Sequence, residues 1–371
     1  MPGAASALRI HAGPRARARL RERGLRPEDI RVIPAAAGGP KGLVLNPLDR
    51  YIFGHWLPSA GPGAPEVHLL GASIGVWRMA TACLARDAAS TEAEFARLAH
   101  DYTHQHYEND RPGKRPSAAA VSRGFAQGLA DCFGGREREV LSHPRLRLHV
   151  FTSRGRHLLL AREGRVRTPL GYLGAFAANT LIGRRALGGW LERVVFSDPR
   201  APLPMPLSDF RSRQVDLGAA NLLPAIQASC SIPFWLQAVA DIPGAPLGAY
   251  WDGGITDYHL HLNYAAMLGD GLVLYPHFQR QVIPGWLDKG LKRRHEPSAF
   301  LDNVVLLVPD ADWVRRTLPN AKLPDRDDFA RYGDDVQTRA AAWQQAIAES
   351  ERLRDEFAQL CAADSVEAQP L

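Results

Sequence analysis

Short apolar runs and longer helical patterns follow one another in the first quarter of the chain. Apolar runs at residues 30–33 and 66–70 predict two buried strands. A glycine-rich turn follows each run, and apolar residues then recur at helical spacing, over residues 43–53 and 74–85. Strand, turn and helix repeated in this order predict an α/β fold with a mostly parallel sheet. Both turns then lie at the carboxyl ends of strands, where ligand chemistry gathers in open α/β sheets.

The patterns divide the chain into three parts. These are a basic N-terminal extension at residues 1–31, a central domain at 32–265, and a C-terminal part at 266–371 that completes the sheet. Between Asp335 and Cys361 apolar residues recur at helical spacing, which predicts one long amphipathic helix packed on the domain. A helix that binds a partner or lies on a membrane is the alternative. The other predicted helices span residues 16–23, 91–107 and 221–228, and the other predicted strands span 145–152 (in a hairpin with 157–161), 191–197, 271–275 and 303–308.

Composition and charge narrow the classes of protein. The chain has 371 residues, of which 46% are hydrophobic and 23% charged, as expected for a globular protein with a buried core. Its net charge of +6 comes almost wholly from arginine. This excess reflects either an arginine-rich composition or attraction to anionic surfaces such as phospholipid headgroups. Nucleic acid is not an expected partner, because the sequence lacks zinc-finger spacing, an aromatic-rich sheet motif and an uninterrupted basic helix.

The N-terminus and the cysteines bear on cellular location. The N-terminus lacks the apolar core of a secretory signal peptide, and no run of about 18 apolar residues predicts a spanning helix. The four cysteines are scattered and form no CxxC pair, which gives no support for a disulfide framework or a structural zinc site. We expect a cytoplasmic protein, and peripheral contact with a membrane through the basic surface is a further hypothesis.

The second glycine-rich turn contains a candidate nucleophile, Ser73, in a GxSxG pentapeptide that runs from Gly71 to Gly75. A sharp turn between a strand and a helix exposes the serine oxygen, and the flanking glycines keep the turn from clashing with itself. Taken alone, the pentapeptide is explained about equally well by an ordinary strand–helix turn. Its place between a predicted strand and a predicted helix favours the nucleophile.

The first glycine-rich turn spans residues 38–42, with the sequence Gly-Gly-Pro-Lys-Gly. A glycine-rich turn at the start of a helix points backbone N–H groups at a negative charge. In acyl transfer this charge is the oxyanion of the tetrahedral intermediate, and Lys41 adds positive field. A nucleotide-phosphate loop is excluded because Gly42, and not serine or threonine, follows Lys41. A plain glycine turn is the structural alternative.

The tripeptide Asp252-Gly253-Gly254 supplies a candidate base. An aspartate ahead of two glycines can present an unhindered carboxylate, which suits a base that takes the serine proton directly. Taken alone, the tripeptide is no more than a common Asp-Gly turn. Its weight comes from its combination with the two earlier turns.

In combination, these motifs resemble the patatin-like phospholipases. Members of that family have, in this order, a glycine-rich oxyanion loop with a basic residue, a GxSxG turn, and an aspartate in Asp-Gly-Gly or Asp-Gly-Ala. Residues 228–235, Ala-Ser-Cys-Ser-Ile-Pro-Phe-Trp, also resemble the family's stretch of small residues, a proline and an aromatic ahead of the aspartate. The resemblance covers about residues 32–262, and the set of motifs is more specific than any one of them.

The resemblance implies a three-layer α/β/α sandwich, and hydrolysis of fatty acyl esters of phospholipids or other lipids by a Ser-Asp dyad without histidine, metal or cofactor. Phospholipase A, lysophospholipase and carboxylesterase activities all fit. Carried over by motif, Ser73 is the nucleophile and Asp252 the base. The supporting positions are Gly38, Gly39, Lys41 and Gly42 for the oxyanion hole, Gly71 and Gly75 for the nucleophile turn, and Gly253 and Gly254 for the base loop.

Two departures from the family pattern affect these expectations. Ala37 stands where the family has a third glycine, and alanine tolerates positive φ less well than glycine. The family's Asn-Pro after Asp-Gly-Gly is replaced by other residues at 255–259, which leaves the support of Asp252 unpredicted. Two other functions stay open: a transacylase that uses the same dyad, and a catalytically degenerate protein that binds lipid or a partner.

The histidines and tryptophans near these motifs allow more than one interpretation of their role. His259 is a candidate third member of the catalytic group, since it lies close to Asp252 in the sequence. With His261 it could meet a metal ion from one face of a strand, but no acidic or cysteine partner is evident, and no metal is expected. The tryptophans Trp77, Trp235 and Trp251 either pack in the core or form the wall of an acyl-chain pocket.

Overall fold

The structure, a computed structural model, describes residues 6–107, 109–111 and 115–371. These residues form an α/β fold around a mixed, mostly parallel sheet of 11 strands. In chain order the strands are β1 (Leu8–Ala12), β2 (Ile30–Ala35), β3 (Val67–Gly71), β4 (Leu146–Gly155), β5 (Leu191–Ser197), β6 (Ser212–Asp216), β7 (Val239–Ala240), β8 (Ala249–Asp252), β9 (Leu272–Pro276), β10 (Val304–Pro309) and β11 (Gln369–Pro370).

Helices of 4 to 16 residues connect the strands. Of the described helices, none is both long enough and apolar enough to cross a bilayer. In chain order the α-helices are α1 (Pro14–Arg23), α2 (Asn46–Tyr51), α3 (Ile74–Leu84), α4 (Ala88–Thr103), α5 (Ala118–Phe133), α6 (Glu137–Leu141), α7 (Arg167–Leu181), α8 (Leu222–Cys230), α9 (Gly254–Asp257), α10 (Ala311–Thr317), α11 (Asp327–Tyr332), α12 (Val336–Glu349) and α13 (Glu351–Cys361).

The sheet has the strand order β11-β1-β10-β9-β2-β3-β4-β5-β6. Its centre is parallel: β2 pairs with β3, and β3 pairs with β4 so that Gly71 lies opposite Val150. Strand β8 runs antiparallel to β4, with Asp252 opposite Thr152. Because β5 already occupies the other side of β4 along this stretch, β8 lies on the same side as β3. The carboxyl ends of β3 and β8 therefore meet head to head along β4.

Different segments of the chain pack on the two faces of the sheet. Alternate residues of a strand point to opposite faces, and on β9 Leu274 belongs to one hydrophobic cluster and Val273 to the other. The first cluster contains residues of α3, α4, α5, α8 and α13. Apart from the strand residues themselves, the second cluster contains mostly residues from irregular segments at 203–205, 258–267 and 278–283. Beyond it α7 covers Trp251 of β8, with Tyr172 turned inwards.

The described part of the expected N-terminal extension contributes a strand to the main sheet. Strand β1 pairs antiparallel with β10 over five residues, and α1 follows it. The predicted basic helix at 16–23 is present and begins two residues earlier, at Pro14. The alternating pattern of β1 is short and borders a run of arginines, which draws attention to the charge and away from the strand.

The C-terminal pattern is also realised differently. The single long helix predicted between Asp335 and Cys361 is two helices, α12 and α13, that meet at Ser350. The Ser350 hydroxyl donates to the Ala346 carbonyl at 2.7 Å, a bond that bends helices. Apolar residues continue across the junction, and the pattern of hydrophobicity therefore does not reveal it.

Among the middle segments, the predicted strand at 157–161 is wrong, because those residues form turns. Strand β4 runs on to Gly155 and pairs with β5 and β8 instead. The predicted helix at 43–53 is interrupted: a 3₁₀ segment, Gly39–Leu45, leads into the short α2, and a π-helical turn, Ile52–Trp56, follows it. The sequence pattern does not predict α5 or α7.

Candidate active site

Ser73 lies at the junction of β3 and α3, in a strained backbone conformation. Its φ of 56° and ψ of −132° are unusual for a residue other than glycine. Helix α3 begins at the next residue, Ile74. This geometry is that of a nucleophile elbow, in which a tight strand–turn–helix lifts the serine side chain clear of the backbone.

The two glycines of the pentapeptide are required by close packing. A Cβ atom on Gly75 would lie 1.9 Å from the Ala35 carbonyl oxygen, and one on Gly71 would lie 2.3 Å from the Cα of Val76. Both distances are far below van der Waals contact. The chain can therefore turn at Ser73 and pack α3 against β2 only when both positions lack a side chain.

Asp252 ends β8 and faces the elbow. Its carboxylate accepts a hydrogen bond of 2.7 Å from the Gly254 amide, and the Ser73 side chain is its second hydrogen-bonding partner. Burial raises the pKa of the Asp252 carboxyl from its ordinary value of 3.8 to about 6, and these two hydrogen bonds oppose the rise. The carboxyl is therefore ionised at neutral pH and is a stronger base than an exposed aspartate.

The glycines after Asp252 also permit close approach. A Cβ on Gly253 would lie 2.1 Å from the Phe151 carbonyl oxygen, and one on Gly254 would lie 2.6 Å from the Cβ of Ala37. The base loop thus packs tightly against β4 on one side and the oxyanion loop on the other. The expectation that Gly253 and Gly254 shape this turn agrees with these contacts.

Ser229, which the sequence marks only as part of the small-residue stretch, joins the turn at Ser73 to the loop after Asp252. Its hydroxyl accepts from the Ser73 amide at 3.0 Å and donates to the Phe151 carbonyl at 2.7 Å. Its own carbonyl accepts from the Gly253 amide at 3.1 Å. One buried residue of α8 therefore fixes both turns, and its chemistry gives no signal that pattern analysis could have singled out.

The loop between β2 and α2 supplies candidate oxyanion donors. Within the described residues, the Gly38 and Gly39 amides donate to no protein acceptor. Gly39 has a φ of 58°, whereas Ala37 has no positive φ and its amide donates to the Tyr258 carbonyl at 2.9 Å. The substitution of alanine for the family's first glycine is therefore accommodated, because the left-handed position falls on Gly39.

Gly42, included among the oxyanion positions, lies behind the elbow. A Cβ on Gly42 would lie 3.4 Å from the side chain of Ile74 and 3.5 Å from that of Arg78. Arg78 in turn makes two hydrogen bonds, of 2.7 and 2.8 Å, to the buried carboxylate of Asp49. This ion pair joins α2 to α3, and Gly42 packs beside it.

The segment that replaces the family's Asn-Pro is held by a buried ionic network. Asp257, in α9, accepts from Nε of Arg193 at 2.8 Å, and both side chains are fully buried. Arg193 also donates to Asp209 at 2.6 Å. Thr256 is the residue before Asp257, and its hydroxyl lies 2.9 Å from that of Ser153. These contacts answer how the base loop is supported without the family's proline.

Three cationic side chains surround the dyad. The Lys289 Nζ lies 4.4 Å from the ring centroid of Tyr258, and Lys41 lies over a neighbouring ring. Arg326 packs on the oxyanion loop, where its Cγ would lie 3.6 Å from a Cβ on Gly39. Within the described residues, none of the three cations forms an ion pair with a carboxylate. Their field favours a negative charge at the dyad.

His259 has partners other than the dyad. Its Nδ1 lies 2.9 Å from the Gln281 carbonyl oxygen and 3.0 Å from the Ile283 amide nitrogen, and its ring stacks on Tyr258. Burial and the neighbouring His277 hold the pKa of His259 well below its ordinary value. The structure therefore places His259 in the wall behind the base loop.

The histidine pair does not present one face to a metal ion. Leu260, between His259 and His261, has a φ of 44°, which breaks the strand geometry on which the metal hypothesis depends. His261 lies 3.1 Å from the Ser298 hydroxyl, away from the contacts of His259. Among the described residues, no group of three or more His, Cys, Asp or Glu side chains is arranged to hold a metal ion.

The three tryptophans near the motifs have different environments. Trp77 packs edge-on against Phe125 in the helical core, and Trp251 is fully buried beneath Tyr172. Trp235 is half exposed, next to Phe234. Core packing therefore accounts for Trp77 and Trp251, and only Trp235 is open to a ligand.

Comparison with known proteins gives no assignment. No protein-family model matches the chain, and no curated protein matches it in sequence. The interpretation of the site rests on its geometry and on the motifs that build it.

Proposed function

We propose that this chain is a serine hydrolase that cleaves lipid acyl esters, with Ser73 as nucleophile and Asp252 as general base. The observation that carries the proposal is the strained turn at Ser73, which faces a buried carboxyl that is its hydrogen-bonding partner. Such a turn holds the serine oxygen clear of the main chain even though Ser73 as a whole is only 7% exposed, and a base with a pKa of about 6 accepts a proton well near neutral pH.

In the proposed reaction Asp252 takes the hydroxyl proton as the Ser73 Oγ attacks the ester carbonyl carbon. The tetrahedral intermediate collapses, the alcohol leaves with the proton from Asp252, and an acyl-enzyme remains. Water, deprotonated by Asp252, then attacks the acyl-enzyme. The bond from the acyl carbon to the Ser73 Oγ breaks, the Oγ takes the proton back from Asp252, and the fatty acid is released. Each step needs one proton acceptor only, and the dyad therefore suffices without His259.

The oxyanion is assigned to the free amides of Gly38 and Gly39. In other hydrolases, removal of one such donor raises the barrier by about 3 kcal/mol. Lys41, which has no carboxylate partner among the described residues, adds positive field to the same loop. Ser229 fixes the backbone of Ser73 against that of Gly253 and thereby sets the distance between nucleophile and base.

A lipid ester is the proposed substrate because cations and exposed apolar side chains lie together near the dyad. Lys289 and Arg326 would attract an anionic headgroup, while Phe234 and Trp235 offer apolar surface next to the small-residue stretch. We also propose that the fold is a patatin-like three-layer sandwich, with which the sheet is compatible. A further part of the proposal is that the protein is cytoplasmic and contacts a membrane peripherally. Four free cysteines are in keeping with a reducing compartment.

The test is a panel of fatty acyl esters incubated with the native chain and with Ser73→Ala, Asp252→Asn, His259→Gln and Ser59→Ala variants. Hydrolysis should disappear in the first two, and Ser59→Ala, a change on a remote 3₁₀ turn, should retain native rates. In the native chain the rate should fall as the pH drops through about 6, because Asp252 becomes protonated. Full activity in Ser73→Ala would overturn the proposal.

The other outcomes separate the remaining functions. Product analysis with an added alcohol acceptor detects a transacylase, since the acyl group then appears on the alcohol in place of free fatty acid. A fluorophosphonate probe that leaves Ser73 unlabelled would indicate a degenerate binding protein. If a folded His259→Gln variant were as inactive as Ser73→Ala, His259 would be a member of the catalytic group.

A further inference from the structure

Helix α7 carries a row of large apolar side chains that no part of the described chain covers. They begin just before the helix, recur every three or four residues as far as Phe176, and return at the last residue of the helix and the one after it; each is between 44% and 83% exposed. The side chains in this row are those of Val166, Leu170, Leu173, Phe176, Leu181 and Ile182. Single exposed apolar residues are common, but a continuous row on one helix marks an interaction surface.

Two neighbouring segments that pack on the inner side of α7 carry further exposed aromatic side chains. Phe234 is 62% exposed and has a φ of 71°, and its ring packs edge-on against Tyr172 on the inner side of α7. Trp286, 49% exposed, belongs to the 3₁₀ turn Trp286–Asp288, whose Asp288 is bonded to Asn179 of α7 at 2.7 Å. We call the exposed side chains of α7, Phe234, Trp235 and Trp286 together the α7 face.

Positive charge accompanies the α7 face. Residues 156–185 include six arginines and one glutamate. Arg162 and Arg184 are paired with carboxylates, and the four arginines that form no ion pair among the described residues are Arg156, Arg165, Arg167 and Arg185. Next to Trp286 the exposed cations Lys289, Lys292 and Arg293 add to this excess. An apolar helix face bordered by arginine and tryptophan is typical of a segment that lies in the headgroup region of a bilayer. The same charge opposes self-association, because two copies would bring their arginines together.

The α7 face also adjoins the dyad. Tyr172, on the inner side of α7, packs edge-on against Trp251, the residue before Asp252. Phe234 and Trp235 follow the stretch that contains Ser229, which bonds the Ser73 amide. A surface that held α7 would therefore hold the dyad close to the same surface.

We infer that the α7 face docks on an anionic lipid surface and presents the dyad to esters within it. The apolar side chains enter the boundary between headgroups and acyl chains, and the arginines meet the lipid phosphates. This inference names the partner of the proposed active site and in that sense rests on the proposed function, but docking itself requires no catalysis.

The experiment measures sedimentation with vesicles of phosphatidylcholine, with and without phosphatidylserine, using the Ser73→Ala protein so that no lipid is consumed. The variant combines Leu173→Glu, Phe176→Glu and Leu181→Glu in that background. The matched control is Leu268→Glu, a 93% exposed leucine in the bend that precedes β9. The urea midpoint of each variant verifies that it is folded.

We expect the parent and the Leu268→Glu control to bind phosphatidylserine vesicles equally, and the triple variant to bind at least about tenfold more weakly. Added salt should weaken the parent's binding. Equal binding by the folded triple variant, or no binding by the parent, would overturn the inference. A parent that is dimeric in solution, and monomeric only as the triple variant, would instead assign the face to a second copy of the chain.

Catalysis is measured separately, in proteins that retain Ser73. The triple variant should hydrolyse a water-soluble short-chain ester at the native rate and vesicle esters more slowly. Vesicle binding without hydrolysis of any ester would contradict the proposed function and leave the docking inference standing. The two failures are therefore distinguishable.

Discussion

Helices α9 and α7 both border the dyad, and they are built in opposite ways. Around α9 the chain buries charged side chains and pairs each of them internally, as with Asp257 and Arg193. Along α7 it exposes large apolar side chains and gives them no partner among the described residues. Buried charges without partners are strongly unfavourable, and the α9 side must therefore be complete within the chain. The α7 side is complete only when something outside the chain covers it.

This difference indicates a division of roles. The internal network around α9 fixes the position of Asp252, and any movement there would separate charges in a medium that screens them poorly. The α7 face contributes little to stability, because its side chains stay in water in the folded chain. Position of the base and contact with a partner can therefore be changed independently.

The strongest test of the comparison removes one charge from the α9 network. Asp257→Asn keeps the shape of the side chain but leaves Arg193 buried with only Asp209 as a counter-ion. We expect the free energy of unfolding to fall by about 3 kcal/mol, measured by urea denaturation. Asp312→Asn, which breaks an exposed ion pair on α10, should change it by no more than about 0.5 kcal/mol. Similar effects at the two positions would contradict the buried-network explanation.

An effect of opposite sign is expected at Asp252 itself. Its pKa in the folded chain, about 6, lies above its ordinary value of 3.8, so folding disfavours the ionised carboxyl. The native chain is therefore less stable above pH 6 than it would be with a neutral group, by about 3 kcal/mol for a difference of roughly two pKa units.

Asp252→Asn should accordingly raise the unfolding free energy at pH 8. The gain should shrink as the pH falls from about 6 to 4, because the native carboxyl then takes up a proton. Urea titrations of both proteins across this range measure it. If the variant were less stable than the native chain at pH 8, burial of the ionised Asp252 carboxyl would not be lowering the unfolding free energy.

The smallest effect is expected on α7. Leu173→Gln replaces a side chain that is already in water, and the unfolding free energy should change by no more than about 0.5 kcal/mol. Leu160 lies beneath the same helix and is fully buried. Leu160→Gln should therefore lower the unfolding free energy by about 3 kcal/mol. Calorimetry of the two variants compares the sides of one helix. A large loss at Leu173 would mean that the exposed row packs within the chain.

The sequence predicts the central part of the fold well, because local patterns determine it. Strands β2 and β3 and helix α3 lie within a residue or two of their expected bounds, and the glycine turns between them have close contacts that explain the glycines. The same glycines make Ser73 recognisable. Where a motif depends on neighbours in the chain, sequence analysis succeeds.

Non-local pairing explains most of what the sequence does not predict. The residues next to Arg193 in the sequence do not indicate that it bonds Asp257. Those next to Ser229 do not indicate that its hydroxyl bonds the Ser73 amide. Helix α7 escapes prediction because Pro169, Gly171 and Gly174 weaken its helical signal and its apolar residues face outwards. Only the structure reveals that its exposed row lacks a cover among the described residues.

Strand β4 carries no proposed catalytic residue, yet it sets the spacing of the dyad. Gly71, two residues before Ser73, lies opposite Val150, and Asp252 lies opposite Thr152. The ends of β3 and β8 are thus offset by two residues of β4, about 7 Å, which is the gap that the turn to Ser73 spans. Replacing a side chain on β4 leaves this spacing unchanged, whereas inserting or deleting one residue between those positions moves it by about 3.3 Å. Among homologous chains, the length of this stretch should therefore vary less than its amino acids do.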